Sequence, residues 1–169
     1  MRIIINNFGC KLLEAILGSK SKRKGNRNEL ELAKILTKRF GREFSRSIGS
    51  GNRWSQTCLS ADQGKVFAGD LVCPAGFKFC IECKAGYDEV SIFSLCQSAK
   101  IDQFLQQAVE DALRCGKQPL LCWKQTRQPW IVFVQEEVQS LYQYRYGDWS
   151  VLLLEDLLGR GDQFFFAES

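Results

Sequence analysis

The spacing of apolar side chains changes along this chain between a helical period and a strand-like period, and that succession constrains the fold most strongly. Helical spacing predicts helices over residues 28–40 and 95–115, and a short closing helix over 151–158. The strand-like runs cover residues 65–73, 77–85, 119–123 and 130–134. This order predicts an α/β (α+β) fold, a mixed central β-sheet flanked by helices.

The length of 169 residues suits one compact domain that needs no metal or disulfide framework to bury a core. We place that domain at residues 22–169 and interpret residues 1–21 as an N-terminal extension. The Ile3 to Ile5 run offers a dimer contact, whereas the Phe164 to Phe166 tail could serve that contact or pack onto its own domain. No run approaches the roughly 20 apolar residues of a membrane span, so we expect no membrane association.

The eight cysteines mostly have apolar neighbours, which favours buried thiols in a reducing cytoplasm over a secreted disulfide scaffold. Cys80 and Cys83 have the spacing of a zinc or redox motif. They lie in a predicted strand, however, where positions three apart point to opposite faces. A zinc-structured protein using Cys73, Cys80 and Cys83 therefore remains an alternative that this geometry disfavours.

The chain contains no histidine. This excludes Ser-His-Asp and Cys-His nucleophile activation, and also Cys₂His₂ zinc sites. Acid–base chemistry is left to carboxylates, lysine, cysteine or metal-bound water.

Basic side chains are concentrated in residues 19–54, where eleven Lys and Arg face three Glu. That segment carries +8, whereas the rest of the chain carries −4. Such a density favours contact with a polyanion, above all the phosphates of a nucleic acid. The alternative is a solvated helix face followed by a loose basic linker.

Alternation along residues 77–85 places Glu82 and Lys84 on one face of the predicted strand. If the preceding strand pairs with it through the turn at residues 74–76, Asp70 falls across from Cys80 and within about 5 to 8 Å of Glu82. Carboxylates about 5 Å apart repel by roughly 3 kcal/mol at an effective dielectric near 20. A divalent cation would relieve this repulsion.

The first predicted helix adds a third carboxylate. On a helical wheel, Glu29 falls on the apolar face with Leu32 and Leu36, whereas Glu31 projects towards solvent. Because a carboxylate facing the core needs a cationic partner, Glu29 is expected at the rim of the core, facing a basic side chain or a metal ion.

Two sequence runs carry a resemblance to a known family. Gly69-Asp70-Leu71-Val72 followed by Ile81-Glu82-Cys83-Lys84 resembles the D…(D/E)xK motif of the PD-(D/E)xK nuclease superfamily. The layout from Arg23 to Leu32, through the loop Arg46-Ser47-Ile48-Gly49-Ser50, to those two runs is similar to that of archaeal-type Holliday junction resolvases. The resemblance spans residues 22–134.

The resemblance implies a restriction-endonuclease-like αβββαβ core and catalytic roles for Glu29, Asp70, Glu82 and Lys84. It adds a loop serine, Ser50 or alternatively Ser47. The implied DNA contacts are Lys22, Arg23, Lys24, Arg27, Arg46, Ser47 and Arg53.

The hypothesis that follows is hydrolysis of phosphodiesters with Mg²⁺ (or Mn²⁺). Asp70, Glu82 and the Cys83 carbonyl would hold the metal, and Glu29 would complete a second site or anchor the water shell. Lys84 would orient or help deprotonate the attacking water. A four-way junction, cut twice in symmetry, implies a homodimer.

Two alternatives stay open at this point. A restriction, repair or exonucleolytic DNA nuclease would use the same chemistry, because the metal motif does not encode DNA shape. A non-catalytic nucleic-acid binding module would use only the basic segment, with the carboxylates as surface salt bridges.

Overall fold

The structure, a computed structural model, describes residues 25–47, 69–90, 98–136, 138 and 144–167. Helix α1 is helical throughout residues 25–40, so the predicted start near Asn28 is wrong. Asn is a frequent capping residue that helix interiors also accommodate. The predicted end is confirmed, because Gly41 takes a left-handed φ of 63° and its N–H donates to the Thr37 carbonyl at 2.9 Å.

Two short strands after α1, β1 (Ser45–Arg46) and β2 (Leu71–Val72), pair antiparallel in a sheet of their own. The predicted turn at residues 74–76 is present, since the Phe77 N–H donates to the Pro74 carbonyl at 3.2 Å. The prediction that the strands on either side of this turn pair as a hairpin is wrong, because β2 pairs with β1 instead. Pro74 has no N–H with which to extend a ladder to the strand that follows.

The central sheet contains five strands. They are β3 (Phe79–Ala85), β4 (Gln118–Lys124), β5 (Trp130–Val134), β6 (Tyr144–Tyr146) and β7 (Trp149–Leu153). Their order is β3–β4–β5–β7–β6, with β3 and β4 parallel and the other pairs antiparallel. The predicted mixed sheet flanked by helices is confirmed, as is the order αβββαβ up to β4.

Helix α2 (Ala99–Cys115) connects the parallel strands β3 and β4. It begins after Ser98, whose hydroxyl accepts from the Ile101 N–H at 3.4 Å, and ends at Gly116 with φ 65°. The apolar stripe of α2 packs on β3 and β4, as its helical spacing predicts. No helix within the described ranges combines the length and apolar composition needed to cross a bilayer.

The two faces of the sheet bury separate apolar clusters. The α1 side includes Leu32, Leu36, Phe79, Ile81 and Cys83. The α2 side includes Ile101, Phe104, Leu121, Trp123 and Phe133.

The end of the chain departs from its prediction. Residues 151–153 belong to β7 and only Leu154–Leu158 form a helix, α3. The predicted helix fails over Val151 and Leu152 because these residues pair with Phe133 and Val132 of β5. A last helix, α4 (Asp162–Phe165), leads Phe165 and Phe166 into the α1-side core, so the Phe tail packs onto its own domain.

Candidate active site

The candidate site lies on the face of β3 that α2 covers. Glu82 is 2% exposed, and Lys84 is half-buried beside it. The Lys84 ammonium makes an ion pair with the Glu82 carboxylate. It also donates to the Gln107 Oε1 of α2 at 2.9 Å. The predicted same-face placement of Glu82 and Lys84 is therefore present, in the interior of the fold.

Asp70 is fixed against β3 by two hydrogen bonds. Its N–H donates to the Ile81 carbonyl at 2.9 Å, and its Oδ2 accepts from the Cys83 N–H at 2.8 Å. The residue before it must be glycine, because a Cβ on Gly69 would meet the Ile81 carbonyl oxygen at 2.8 Å and the Cys80 sulfur at 2.9 Å. Asp70 thus lies beside the Glu82 segment although β2 does not pair with β3.

Burial and mutual repulsion disfavour the charged forms of both carboxyls. Burial raises the pKa of Asp70 to about 6, against the opposing Cys83 hydrogen bond. Burial and the neighbouring Asp70 raise the pKa of Glu82 to about 8. Burial alone would lower the pKa of Lys84, but the Glu82 carboxylate overrides it and raises that pKa. One ammonium therefore does not offset both carboxylates.

Helix α2 contributes a carboxylate that the sequence analysis missed. Asp111 is 5% exposed and accepts from the Arg114 guanidinium at 2.9 Å. Its charge also raises the pKa values of Asp70 and Glu82. The signal was available, because position 111 falls on the margin of the apolar stripe that contains Ala108 and Ala112.

Glu29 approaches the same site from α1. It is 8% exposed, its carboxylate forms an ion pair with Arg46, and its charge raises the pKa of Asp70. The predicted position at the rim of the core, facing a cation, is confirmed. That cation is a guanidinium supplied by β1.

The remaining predicted site residues are placed as follows. Ser47 is 1% exposed, and its N–H donates to the Asp70 carbonyl at 2.9 Å. Arg27 is exposed on α1. Lys22, Arg23, Lys24, Ser50 and Arg53 lie outside the described residues. DNA contacts by this set, including Arg46, stay predictions.

The oxygen atoms present fit a hard divalent cation. Asp70 and Glu82 offer carboxylates whose negative charges are disfavoured by burial, which a cation would reverse. Among the described residues, no three His, Cys, Asp or Glu side chains are arranged to hold a metal ion. A cation here would therefore rest on two carboxylates, main-chain oxygen and water, a ligand set that Mg²⁺ commonly accepts.

The cysteines do not form the zinc site considered as an alternative. Cys83 packs in the α1-side core, whereas Cys80 packs against Ala112 of α2 on the other face. The prediction that β3 would separate them is confirmed. In the part of the chain that the structure describes, the zinc interpretation has no ligand cluster.

Comparisons with known proteins place these residues in context. The family model described as "Phage putative PDDEXK endonuclease" matches residues 20–152. One solved structure, the Holliday junction resolvase Hjc from Archaeoglobus fulgidus, is similar at 21% identity and a TM-score of 0.43, over 76% of this chain and 86% of that one. No curated protein matches the chain.

Proposed function

The chain belongs to the family of phage PDDEXK endonucleases, and from that premise we propose a divalent-metal-dependent DNA endonuclease that resolves four-way junctions. The observation that carries this proposal is that Asp70, Glu82 and Lys84 come together at one site. These are the three residues of the D…(D/E)xK motif, and they come from separate stretches of chain.

Asp70 and Glu82, with the Cys83 carbonyl, would hold Mg²⁺ or Mn²⁺. When bound, the metal lowers the pKa of a coordinated water and neutralises charge on the phosphodiester. The Cys83 N–H keeps one Asp70 oxygen in a fixed orientation at 2.8 Å. The ion pair with the Lys84 ammonium orients the Glu82 carboxylate.

Lys84 acts in this proposal as a cation rather than a base. Its pKa is raised by Glu82, so the proton stays on Nζ near neutral pH. An ammonium held by Glu82 and Gln107 donates to the attacking water or to the scissile phosphate, and stabilises charge that develops there. No histidine is required, in agreement with the composition.

Glu29 and Arg46 form the outer part of the proposed site. The guanidinium offsets the Glu29 charge, which otherwise disfavours ionised Asp70. Glu29 would complete a second metal site or anchor the water shell. Arg46 would reach a DNA phosphate when Glu29 turns to a cation.

Junction selectivity rests on the sequence. The layout that resembles archaeal-type resolvases begins in the segment that carries +8, and closely spaced phosphates of several duplex arms suit such a charge. Two symmetric cuts would come from a homodimer.

The test compares end-labelled substrates of identical sequence: a four-way junction, a linear duplex and a single strand. Each is incubated with Mg²⁺, with Mn²⁺ and with chelator. Paired symmetric nicks on the junction alone, lost with chelator, would support the proposal. Equal digestion of linear DNA would instead favour a restriction, repair or exonucleolytic enzyme.

Variants separate cleavage from binding. Asp70→Asn and Glu82→Gln should abolish nicking while a gel-shift assay still detects junction binding. Glu155→Gln is the matched control, since Glu155 is exposed on α3, away from the site. Junction binding by wild type and by both site variants, with no nicking by any of the three, would leave only a nucleic-acid binding module.

A further inference from the structure

The thiols of the Cys80-x-x-Cys83 motif are not used by the proposed nuclease chemistry, and β3 divides them between the two faces of the sheet. Cys83 lies in the α1-side core, whereas Cys80 packs against Ala112 and Cys115 of α2. The neighbouring thiol of Cys80 is therefore Cys115, at the C-terminal end of α2.

The side chain of Cys115 packs against the cluster formed by Cys80 and Ala112. The Cys115 thiol lies 3.4 Å from the Ala112 carbonyl oxygen, to which it donates. Cys80 is 3% exposed, whereas Cys115 is half-buried, so a small oxidant from solvent reaches Cys115 first.

We propose that Cys80 and Cys115 form a redox-active dithiol that a peroxide converts into an internal disulfide, which joins β3 to the end of α2. Both are free thiols in the structure. The bond would close between two elements that already pack on each other.

The oxidation balances with hydrogen peroxide as the two-electron oxidant. The Cys115 thiolate attacks one peroxide oxygen and becomes a sulfenic acid, while the other oxygen leaves as hydroxide and takes up a proton to form water. The Cys80 sulfur then attacks the sulfenic sulfur, and the sulfenic oxygen leaves with the Cys80 proton as a second water. Two thiols and one peroxide give one disulfide and two waters.

The surroundings of Cys115 favour its role as the attacking sulfur. The neighbouring Cys80 thiol lowers the pKa of Cys115 to about 7, and the nearby Lys117 charge acts in the same direction. Burial raises the pKa of Cys73 and of Cys122, which keeps those thiols protonated. The reaction is therefore selective among the described cysteines.

The dithiol borders the candidate active site. The Cys80 sulfur fills the space where a Gly69 side chain would lie, and Gly69 directly precedes Asp70. A disulfide requires a sulfur–sulfur bond of about 2.05 Å, shorter than any hydrogen-bond contact. Its formation would draw the Cys80 sulfur away from Gly69.

The test uses the full chain, fully reduced and then treated with hydrogen peroxide. Remaining thiols are alkylated, and the protein is digested with trypsin without reductant. We expect a linked pair of peptides, residues 79–84 and 115–117, in which fragmentation assigns the bond to Cys80 rather than Cys83. Dithiothreitol should separate the pair.

Two variants keep the test selective. Cys115→Ser should remove the linked pair, and should slow the loss of the Cys80 thiol by about tenfold or more because the attacking sulfur is absent. Cys73→Ser, in a neighbouring thiol, should leave the linked pair unchanged. Thermal unfolding of the reduced variants checks that both fold.

Three results would overturn the proposal. These are oxidation of Cys115 to a sulfinic acid with no link, a link from Cys115 to a cysteine other than Cys80, and a link between two copies of the chain. None of these readouts depends on DNA cleavage, so the inference stands or falls apart from the proposed nuclease.

Discussion

The two faces of β3 serve different purposes. One face presents Phe79, Ile81 and Cys83 to a wholly apolar cluster beneath α1. The other presents a buried Glu82 and a half-buried Lys84 beneath α2, both with polar partners. Because burying each large apolar side chain contributes about 1.5–3 kcal/mol, the α1 face stabilises the strand, whereas the α2 face holds charges that burial penalises. One strand thus supplies a stable support for an unfavourable site.

For Asp70, the free-energy cost of keeping a buried carboxyl charged follows from its pKa. The pKa of its carboxyl rises from 3.8 to about 6 in the folded chain. At about 1.4 kcal/mol for each pKa unit, the ionised form costs on the order of 3 kcal/mol at neutral pH when no cation is bound. Carboxyls with strongly shifted pKa values cluster at functional sites, and a divalent cation would reverse the penalty.

The largest effect is expected from neutralising the α2 face. If the proposed function holds, Glu82→Gln should lower the rate of junction cleavage by about 10³-fold or more, since loss of a proposed metal ligand would remove several kcal/mol of transition-state stabilisation. Single-turnover cleavage at saturating enzyme measures this. The variant should still fold, because Gln has nearly the same shape as Glu. A rate within about threefold of wild type would contradict the assignment of Glu82.

A substitution on the apolar face should lower stability and leave the cleavage rate of the folded protein unchanged. Phe79→Ala should lower the free energy of unfolding by about 3–4 kcal/mol, because Phe79 is fully buried against the rings of Phe77, Phe164 and Phe165. Urea unfolding measures the change. At a temperature where the variant remains folded, its cleavage rate per folded molecule should stay near that of wild type. A stable but inactive Phe79→Ala chain would show that the two faces are not separable.

The sequence was informative where one element determines the outcome. Alternation in residues 77–85 correctly divided Cys80 and Glu82 from Ile81 and Cys83, and the wheel of α1 placed Glu29 at the core rim. Both follow from the period of a single strand or helix.

Contacts between segments that are distant in sequence were harder to predict. The hairpin partner of β2 was wrong because alternation does not select which neighbouring strand completes a ladder. The helical wheel places Asp111 at the margin of the α2 stripe, but its proximity to Asp70 and Glu82 depends on which strand α2 covers. The Val151–Leu158 stretch was assigned to a helix because a short apolar run has no distinct period, and pairing with β5 decided the structure of its first half.

The stability of the fold should depend on pH through the Asp70 carboxyl. A carboxyl whose pKa is raised on folding stabilises the fold fully below its unfolded pKa and loses that contribution as pH rises, here between about 4 and 6. Asp70→Asn removes the titrating charge, so in chelator the variant should unfold several degrees above wild type at pH 8 and close to it at pH 4. Thermal unfolding at both pH values measures this. An equal difference at the two pH values would contradict the assigned shift.

The same variant tests the metal. Added Mg²⁺ should raise the unfolding temperature of wild type at pH 8, because a ligand that binds only the folded state stabilises it. Asp70→Asn should lose this response. A Mg²⁺ effect of equal size in both proteins would place the bound ion elsewhere.

The smallest effect is expected from Gln107, which holds Lys84 from α2. Gln107→Leu removes one hydrogen bond to a charged group while Glu82 still pairs with the ammonium, so cleavage should fall by about tenfold. The loss should appear in the single-turnover rate at saturation, with binding of the junction unchanged, because the proposed role of Lys84 is to act on the reacting phosphate. Gln103→Leu is the matched control, since Gln103 is exposed on the same helix. Equal losses in both variants would mean that a general change of the helix surface, rather than loss of the Lys84 contact, lowers the rate. Gln107 would then have no specific part in positioning Lys84.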